Sequence, residues 1–246
     1  MTEPEVVERT NVELGQLLML FYILCDVSGS MTPDIAALNK ALERLLLAVR
    51  NEPVVDDVAQ IGVASFSDTA KMVIPLDHPS RITMRNLQIE GGTNYGASFE
   101  FIAKQIENDI ADLKRQGYKV YRPCVFFLTD GEPQDGDWHQ TFTRALTYDK
   151  ATGTGMKSHP IFVPFGFRDA REDVIRQLAY PPEKSKWFFA RTHGIEEALD
   201  GILDVIMKTV MTGGLSAHLG VAPTPLVPVT SSAVVSGDSE YDPEYV

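Results

Sequence analysis

Five side chains with hard oxygen donors stand at three places in the chain: Asp26-x-Ser28-x-Ser30, Thr93 behind Gly92, and Asp130 between Thr129 and Gly131. Two carboxylates and three hydroxyls suit a small divalent cation such as Mg²⁺ better than a soft transition metal. Positions 26, 28 and 30 alternate, so in an extended turn they can point to one side. Thr93 and Asp130 come from distant segments, so the fold itself must assemble the set. Two carboxylates only just neutralise a divalent ion and leave the rest of its shell to hydroxyls and water. Such an ion stays electrophilic and keeps a position for an outside oxygen, preferably a carboxylate, whereas a cage of four or five carboxylates would hold it for structure alone. Taken singly, each segment is ordinary turn chemistry, because Asp, Ser and Gly all favour turns.

The elements that must position these residues are legible. Leu17–Cys25 (LLMLFYILC) is apolar at every position and predicts a strand buried on both faces, as in a parallel sheet. It runs directly into Asp26. Thr32-Pro33-Asp34 predicts a helix start, and Ile35, Leu38, Leu42, Leu45, Leu46 and Val49 supply its buried stripe. Strands at 59–66 and 70–75 are joined by so tight a turn that they must be antiparallel. Residues 76–96 read as loop, followed by a helix carrying Phe99, Ile102, Ile106, Ile110 and Leu113 that closes at Gly117. Cys124–Leu128 (CVFFL) is a second fully apolar strand that empties into Thr129-Asp130-Gly131. A helix over 138–151, a strand over 160–165, a helix opened by an Asp169/Glu172 capping box, a short strand over 187–190 and a helix from Ile195 to Val210 complete the pattern. The expected fold class is α/β: a Rossmann-like, doubly wound, mostly parallel sheet with one antiparallel edge strand and helices on both faces. Ligands of such sheets bind at the carboxyl ends of strands, where both aspartates stand.

The 246 residues divide into an acidic N-terminal extension (1–15), one domain (16–212) and a Pro/Ser/Thr-rich acidic tail (213–246) read as disordered. The net charge of -12 speaks against a nucleic-acid partner. The longest apolar stretch is about half of a membrane span, and MTEPEVVERT is acidic where a signal peptide is basic, so no membrane association and a cytoplasmic location are expected. Cys25 and Cys124 have no metal-ligand spacing and read as buried thiols in a reducing compartment.

CDVSGSM, GGTNYGASF and FFLTDGEP, in that order, resemble the von Willebrand factor A domain with its metal-ion-dependent adhesion site (MIDAS). The family pattern D-x-S-x-S, Thr, Asp falls on Asp26, Ser28, Ser30, Thr93 and Asp130, and the resemblance covers about residues 16–212. It implies a bound Mg²⁺, with Mn²⁺ or Ca²⁺ as substitutes, and a protein ligand whose Glu or Asp completes the metal shell. It further implies that the hydroxyls contact the metal directly or through water, and that the aspartates act through water while anchoring the turn. The DVSGSM strand end, the GGT-x-x-G-A segment and TDGEPQDGDW are similar to the intracellular bacterial TerY-like group linked to tellurium-resistance gene clusters. That likeness implies a non-enzymatic scaffold with kinase or phosphatase partners in a stress-response assembly.

The competing enzyme reading is a Mg²⁺-dependent phosphatase of the haloacid-dehalogenase type. It lacks the second acid two residues after the nucleophile, where Ser28 stands. A serine hydrolase would need a base, and of the five histidines only His139 lies near a site loop. Glu132, Asp135 and Asp137 read as a solvated acidic turn able to select partners by charge, and Trp138 as core. Thr230, Ser231, Ser232, Ser236, Ser239 and Tyr241 are hydroxyls in the tail that a kinase could reach.

Overall fold

The computed structural model describes residues 15–190, 195–219 and 234–243. In chain order the elements are β1 (Leu17–Asp26), α1 (Ile35–Arg50), α2 (Pro53–Asp56), β2 (Ala59–Phe66), β3 (Ala70–Asp77), α3 (Tyr95–Arg115), β4 (Lys119–Val120), β5 (Cys124–Thr129), α4 (Trp138–Leu146), β6 (Tyr148–Asp149), β7 (Thr154–Gly155), β8 (Ile161–Gly166), α5 (Glu172–Gln177), β9 (Lys186–Ala190), α6 (Ile195–His218) and β10 (Val234–Asp238). The sheet runs β10-β9-β8-β5-β1-β2-β3, with β4 beside the start of β1, while β6 and β7 form a separate hairpin. β1 lies parallel to β2 and β5, β5 to β8, and β8 to β9; β3 and β10 are antiparallel to their neighbours at the two edges. The Rossmann-like α/β sheet is thus as expected, with β10 as an added antiparallel edge.

Because β1 is covered on both faces, its side chains sort by parity. Met19, Phe21, Ile23 and Cys25 enter one core with α1 and α6. Leu18, Leu20, Tyr22 and Leu24 enter the other with α3, α4 and part of α5. That continuous apolar run is what placed β1 centrally. The second core is aromatic at its heart: Phe99 packs against Tyr95, Phe127, Phe142 and Phe162 with ring centroids 5.1–5.9 Å apart. Both cysteines are buried and unpaired by disulfide, and burial pushes both thiols well above the usual range. Among the described residues no helix is long and apolar enough to cross a membrane.

Several boundaries differ from the sequence reading. The first helix begins at Ile35, not at Pro33: Gly29–Met31 form a short 3₁₀ turn and Thr32 Oγ1 donates to Gly29 O instead of capping a helix. The helix expected over 138–151 ends at Leu146 and gives way to the β6–β7 hairpin. Asp169 does not cap α5, which begins at Glu172; its N–H is bound to Asp130 O instead.

The largest difference lies beyond residue 212, where the sequence reading expects disorder. α6 runs through Gly213-Gly214 to His218. These glycines are contact surfaces: a Cβ on Gly213 would stand 2.8 Å from Met19 Cε, and one on Gly214 2.8 Å from Val55 Cγ1 and 3.3 Å from Val55 Cα. Further on, β10 pairs with β9 in the register Val234↔Ala190 to Asp238↔Lys186. Ser239 Oγ donates to Ala179 O, Glu240 pairs with Arg176, and the Tyr241 ring lies 5.1 Å from Tyr180 and 5.9 Å from His139. Thr230, Ser231 and Ser232 lie outside the described residues, as does the N-terminal extension apart from Gly15.

Candidate metal centre

β1 and β5 are neighbours in the sheet and end together, Cys25 opposite Leu128. The turns that follow therefore emerge side by side, carrying Asp26, Ser28 and Ser30 on one and Asp130 on the other. Asp26 is fully buried at the end of β1, and its Oδ1 accepts from the Ser28 N–H at 2.8 Å, closing the turn on itself. Its Oδ2 accepts from Thr129 Oγ1 at 2.7 Å, which ties the first turn to the second. Ser28 Oγ and Ser30 Oγ lie 3.0 Å apart, and Ser30 Oγ donates to Asp130 Oδ1 at 2.7 Å.

Thr93 joins from the third loop. That loop is pinned to the first by Glu90 N–H to Val27 O and Gly29 N–H to Gly91 O, and Asp68 holds Gly92 N–H. Gly91 is obligatory in this turn: its φ is 44°, and a Cβ there would overlap the Asp68 carboxylate. Measured from where a Cβ on Gly131 would stand, Thr93 Oγ1 is 3.5 Å and Ser30 Oγ 3.8 Å away, so both hydroxyls face one small space. All five sequence-predicted residues therefore stand on adjoining turns at the carboxyl end of the sheet.

The donor spacing fits a hard cation. Ligands at right angles around Mg²⁺, each at about 2.1 Å, lie about 3.0 Å from one another. The Ser28–Ser30 and Ser30–Asp130 separations of 3.0 and 2.7 Å are of this size. Among the described residues no group of three or more His, Cys, Asp or Glu is arranged for a metal. Residues 21–132, a span that contains all five donors, match the family model described as von Willebrand factor type A domain.

That stretch is similar to the von Willebrand factor type A domain by sequence.

The fold agrees with that match. The structure is similar to a von Willebrand factor type A protein from Catenulispora acidiphila (15% identity, TM-score 0.51, covering 79% of this chain and 43% of that one). It is similar also to the pilus adhesin SpaC of Lactobacillus rhamnosus GG in its open conformation (14%, 0.57, 79% and 30%). A third similar structure is proximal thread matrix protein 1 of the mussel byssus with a zinc-occupied MIDAS motif (16%, 0.50, 80% and 48%). At these identities the likeness is one of fold, and this chain spans less than half the length of each. No curated protein matches significantly.

Residues around the five candidate donors support their turns, and the sequence reading missed their roles. Tyr95 OH donates to Gly131 O at 2.8 Å and reaches Thr129 Oγ1 at 3.2 Å, buttressing the Asp130 turn from beneath. Asp135, read as part of a solvated acidic turn, accepts from the Tyr95 and Gly96 N–H groups at 2.8 and 2.7 Å. With the Asn94 side chain on Ala97 N–H it caps α3 and fixes the Thr93 loop to the second turn. Gln134 adds its N–H to Thr93 O. The only cue was an acid three or more residues past a strand end, which is common in solvated turns too. His139 is buried beside Tyr241, and Trp138 is core as expected.

Burial pushes the Asp130 carboxyl up to about 6 despite the Ser30 hydrogen bond, and the charges of Asp26 and Asp34 add to the rise. Burial raises Asp26 as well, against hydrogen bonds from Ser28 and Thr129. A carboxyl raised on folding holds its proton more tightly in the folded than in the unfolded chain. In the metal-free protein its contribution to stability is therefore full at low pH and is lost as pH rises towards 6. A cation reverses this, because it needs the carboxylate and displaces the proton. The melting-temperature increase produced by a fixed Mg²⁺ concentration is thus expected to be full at about pH 7.5 and to shrink below about pH 6. An increase equally large at about pH 5 would show that Asp130 is not titrating against the metal.

Proposed function

We propose that the domain is a metal-dependent protein-interaction module in which Asp26, Ser28, Ser30, Thr93 and Asp130 hold a divalent cation, Mg²⁺ in the cell. The observation that carries this is the convergence of three hydroxyls and two buried carboxylates from three loops onto one space at the carboxyl end of β1 and β5. The ion supplies a Lewis-acidic anchor for a Glu or Asp of a partner protein. The chain's part is to keep the two carboxylates buried and aimed while most of the coordination comes from neutral hydroxyls. The zinc-occupied MIDAS of the mussel protein supports a divalent ion at this place in the fold. We extend the reading to a cytoplasmic, TerY-like scaffold with kinase or phosphatase partners, on the strength of the DVSGSM, GGT-x-x-G-A and TDGEPQDGDW segments and two free, buried thiols.

Asp26 itself supports binding over phosphoryl transfer. A nucleophilic carboxylate presents one oxygen to phosphorus, whereas both Asp26 oxygens accept internal hydrogen bonds and the side chain is fully buried. The test is calorimetric titration of metal-stripped protein with Mg²⁺, Mn²⁺, Ca²⁺ and Zn²⁺. One saturable site is expected. Ser30→Ala, which breaks the link between Ser28 and Asp130, should weaken it by about 10- to 100-fold. No saturable heat with any of the four ions, together with an unshifted melting temperature, would overturn the reading.

A further inference from the structure

Arg168 is the one residue other than glycine, among the described residues, with a positive φ, 52°. L side chains rarely adopt this backbone, and where they do the surrounding structure must hold them there. The residues on either side show what does. Phe167 N–H donates to Thr129 O and Asp169 N–H to Asp130 O, so Arg168 springs from a segment laid along the strand end that carries the second metal turn.

Its guanidinium is then held by a carboxylate that has no other evident purpose. Asp34, four residues after Ser30 and fully buried, meets Arg168 Nε with Oδ2 at 2.6 Å and accepts from Nη2 with Oδ1 at 2.7 Å. One hydrogen bond and one close ion-pair contact, the latter leaving Asp34 Oδ2 without a hydrogen bond, thus occupy one edge of the planar guanidinium. The other edge, Nη1, has no partner among the described residues, and the side chain stays 40% exposed. The charge is close enough to be felt at the centre, for Arg168 eases and Asp34 aggravates the burial of Asp130. A strained backbone, a buried carboxylate spent on orientation and a free donor edge beside a metal face describe a preorganised anion-binding arginine.

We propose that Arg168 is the second anchor of the binding face, donating from its Nη1 edge to a carboxylate oxygen of the acidic segment that the metal captures. The inference rests on the metal-binding reading above and names what that site selects: a partner strand or loop in which one carboxylate reaches the ion and an oxygen of the same or an adjoining carboxylate reaches Arg168.

The test uses the full chain loaded with Mg²⁺ and, as probe, N-acetyl-glutamyl-glutamate methylamide, titrated by NMR with the wild type, Arg168→Gln and Arg168→Lys. Mg²⁺ affinity, read separately by calorimetry, should be equal or tighter in Arg168→Gln, because a neighbouring positive charge is gone. Probe affinity should fall by about tenfold or more in Arg168→Gln, the loss expected when a charge-assisted hydrogen bond is removed. Arg168→Lys keeps an ion pair to Asp34 but has no second donor edge, so it should lose the probe while retaining the fold. Wild-type probe affinity in both variants, or no probe binding to the Mg²⁺-loaded wild type, overturns the role of Arg168. No Mg²⁺ binding by the wild type overturns the underlying reading instead, and the two failures are told apart by the calorimetry.

Discussion

Asp26→Asn is expected to abolish saturable Mg²⁺ binding while the fold stands, with a melting temperature no lower than that of the metal-free wild type. The expectation follows from what surrounds the carboxylate. It is fully buried, burial raises its affinity for protons, and its charge is near enough to Asp130 to raise that carboxyl too. Without a cation this charge opposes folding at neutral pH. Asn keeps the size and one acceptor: its oxygen can take the Ser28 N–H, and its amide can donate to Thr129 Oγ1, whose hydroxyl turns to suit. The turn therefore survives. The ion, however, is left with a single carboxylate and a net charge it cannot shed in a buried site. Calorimetry and a thermal melt on the same sample decide the matter. Retained Mg²⁺ binding would show that Asp26 only closes the turn, and an unfolded variant would show that its contribution is structural.

Phe99→Ala is expected to cost about 3–5 kcal/mol, the range for truncating a fully buried aromatic side chain. In a domain of this size that is about 10 °C or more of melting temperature. Phe99 is 0% exposed and its ring is ringed in turn by Tyr95, Phe127, Phe142 and Phe162, so the space left cannot be filled from solvent or by one neighbour. The damage should reach the centre as well. Tyr95, one turn earlier on α3, packs on Phe99 and carries the hydroxyl that supports Thr129 and Gly131. Denaturant unfolding gives the stability loss, and a Mg²⁺ titration of the variant should show weaker binding at temperatures where it is still folded. A loss below about 1 kcal/mol would mean that the aromatic cluster repacks freely.

The strands that carry the five candidate donors were legible because they rest on local signals. Two apolar runs ending in polar turns announce parallel strands, and the side-chain types announce a hard cation. What stayed hidden depends on partners far away in sequence. Thr129 reads as the first residue of a polar turn, and only the β1–β5 register puts its hydroxyl on Asp26. Asp34 reads as an acid in a helix's first turn, yet Arg168, more than a hundred residues on, draws it inward and α1 starts one residue later. Gly213-Gly214 has the composition of a helix stop, but close approach to Met19 and Val55 outweighs glycine's intrinsic cost in a helix. β10 is five residues containing Ser and Gly, without alternation; the exposed edge of β9 makes it a strand. Gly237 is needed there because a Cβ would stand 2.4 Å from the Trp187 ring.

The two thiols provide a built-in reporter of the helical cover on one face of the sheet. Cys124 pairs with Phe21 and Cys25 with Leu128, so the sulfurs sit four positions apart on adjacent parallel strands. That is about 13 Å along the strand, beyond the roughly 7 Å reach of a disulfide. Each is buried in the core shared with α1 and α6, and each is held in the unreactive protonated form. An alkylating reagent added to the native protein therefore waits for the helices packed on this face to lift away, and that event uncovers both sulfurs. Mass spectra taken over time should contain molecules with no adduct and molecules with two, their ratio timing the loss of that helical cover without any engineered label.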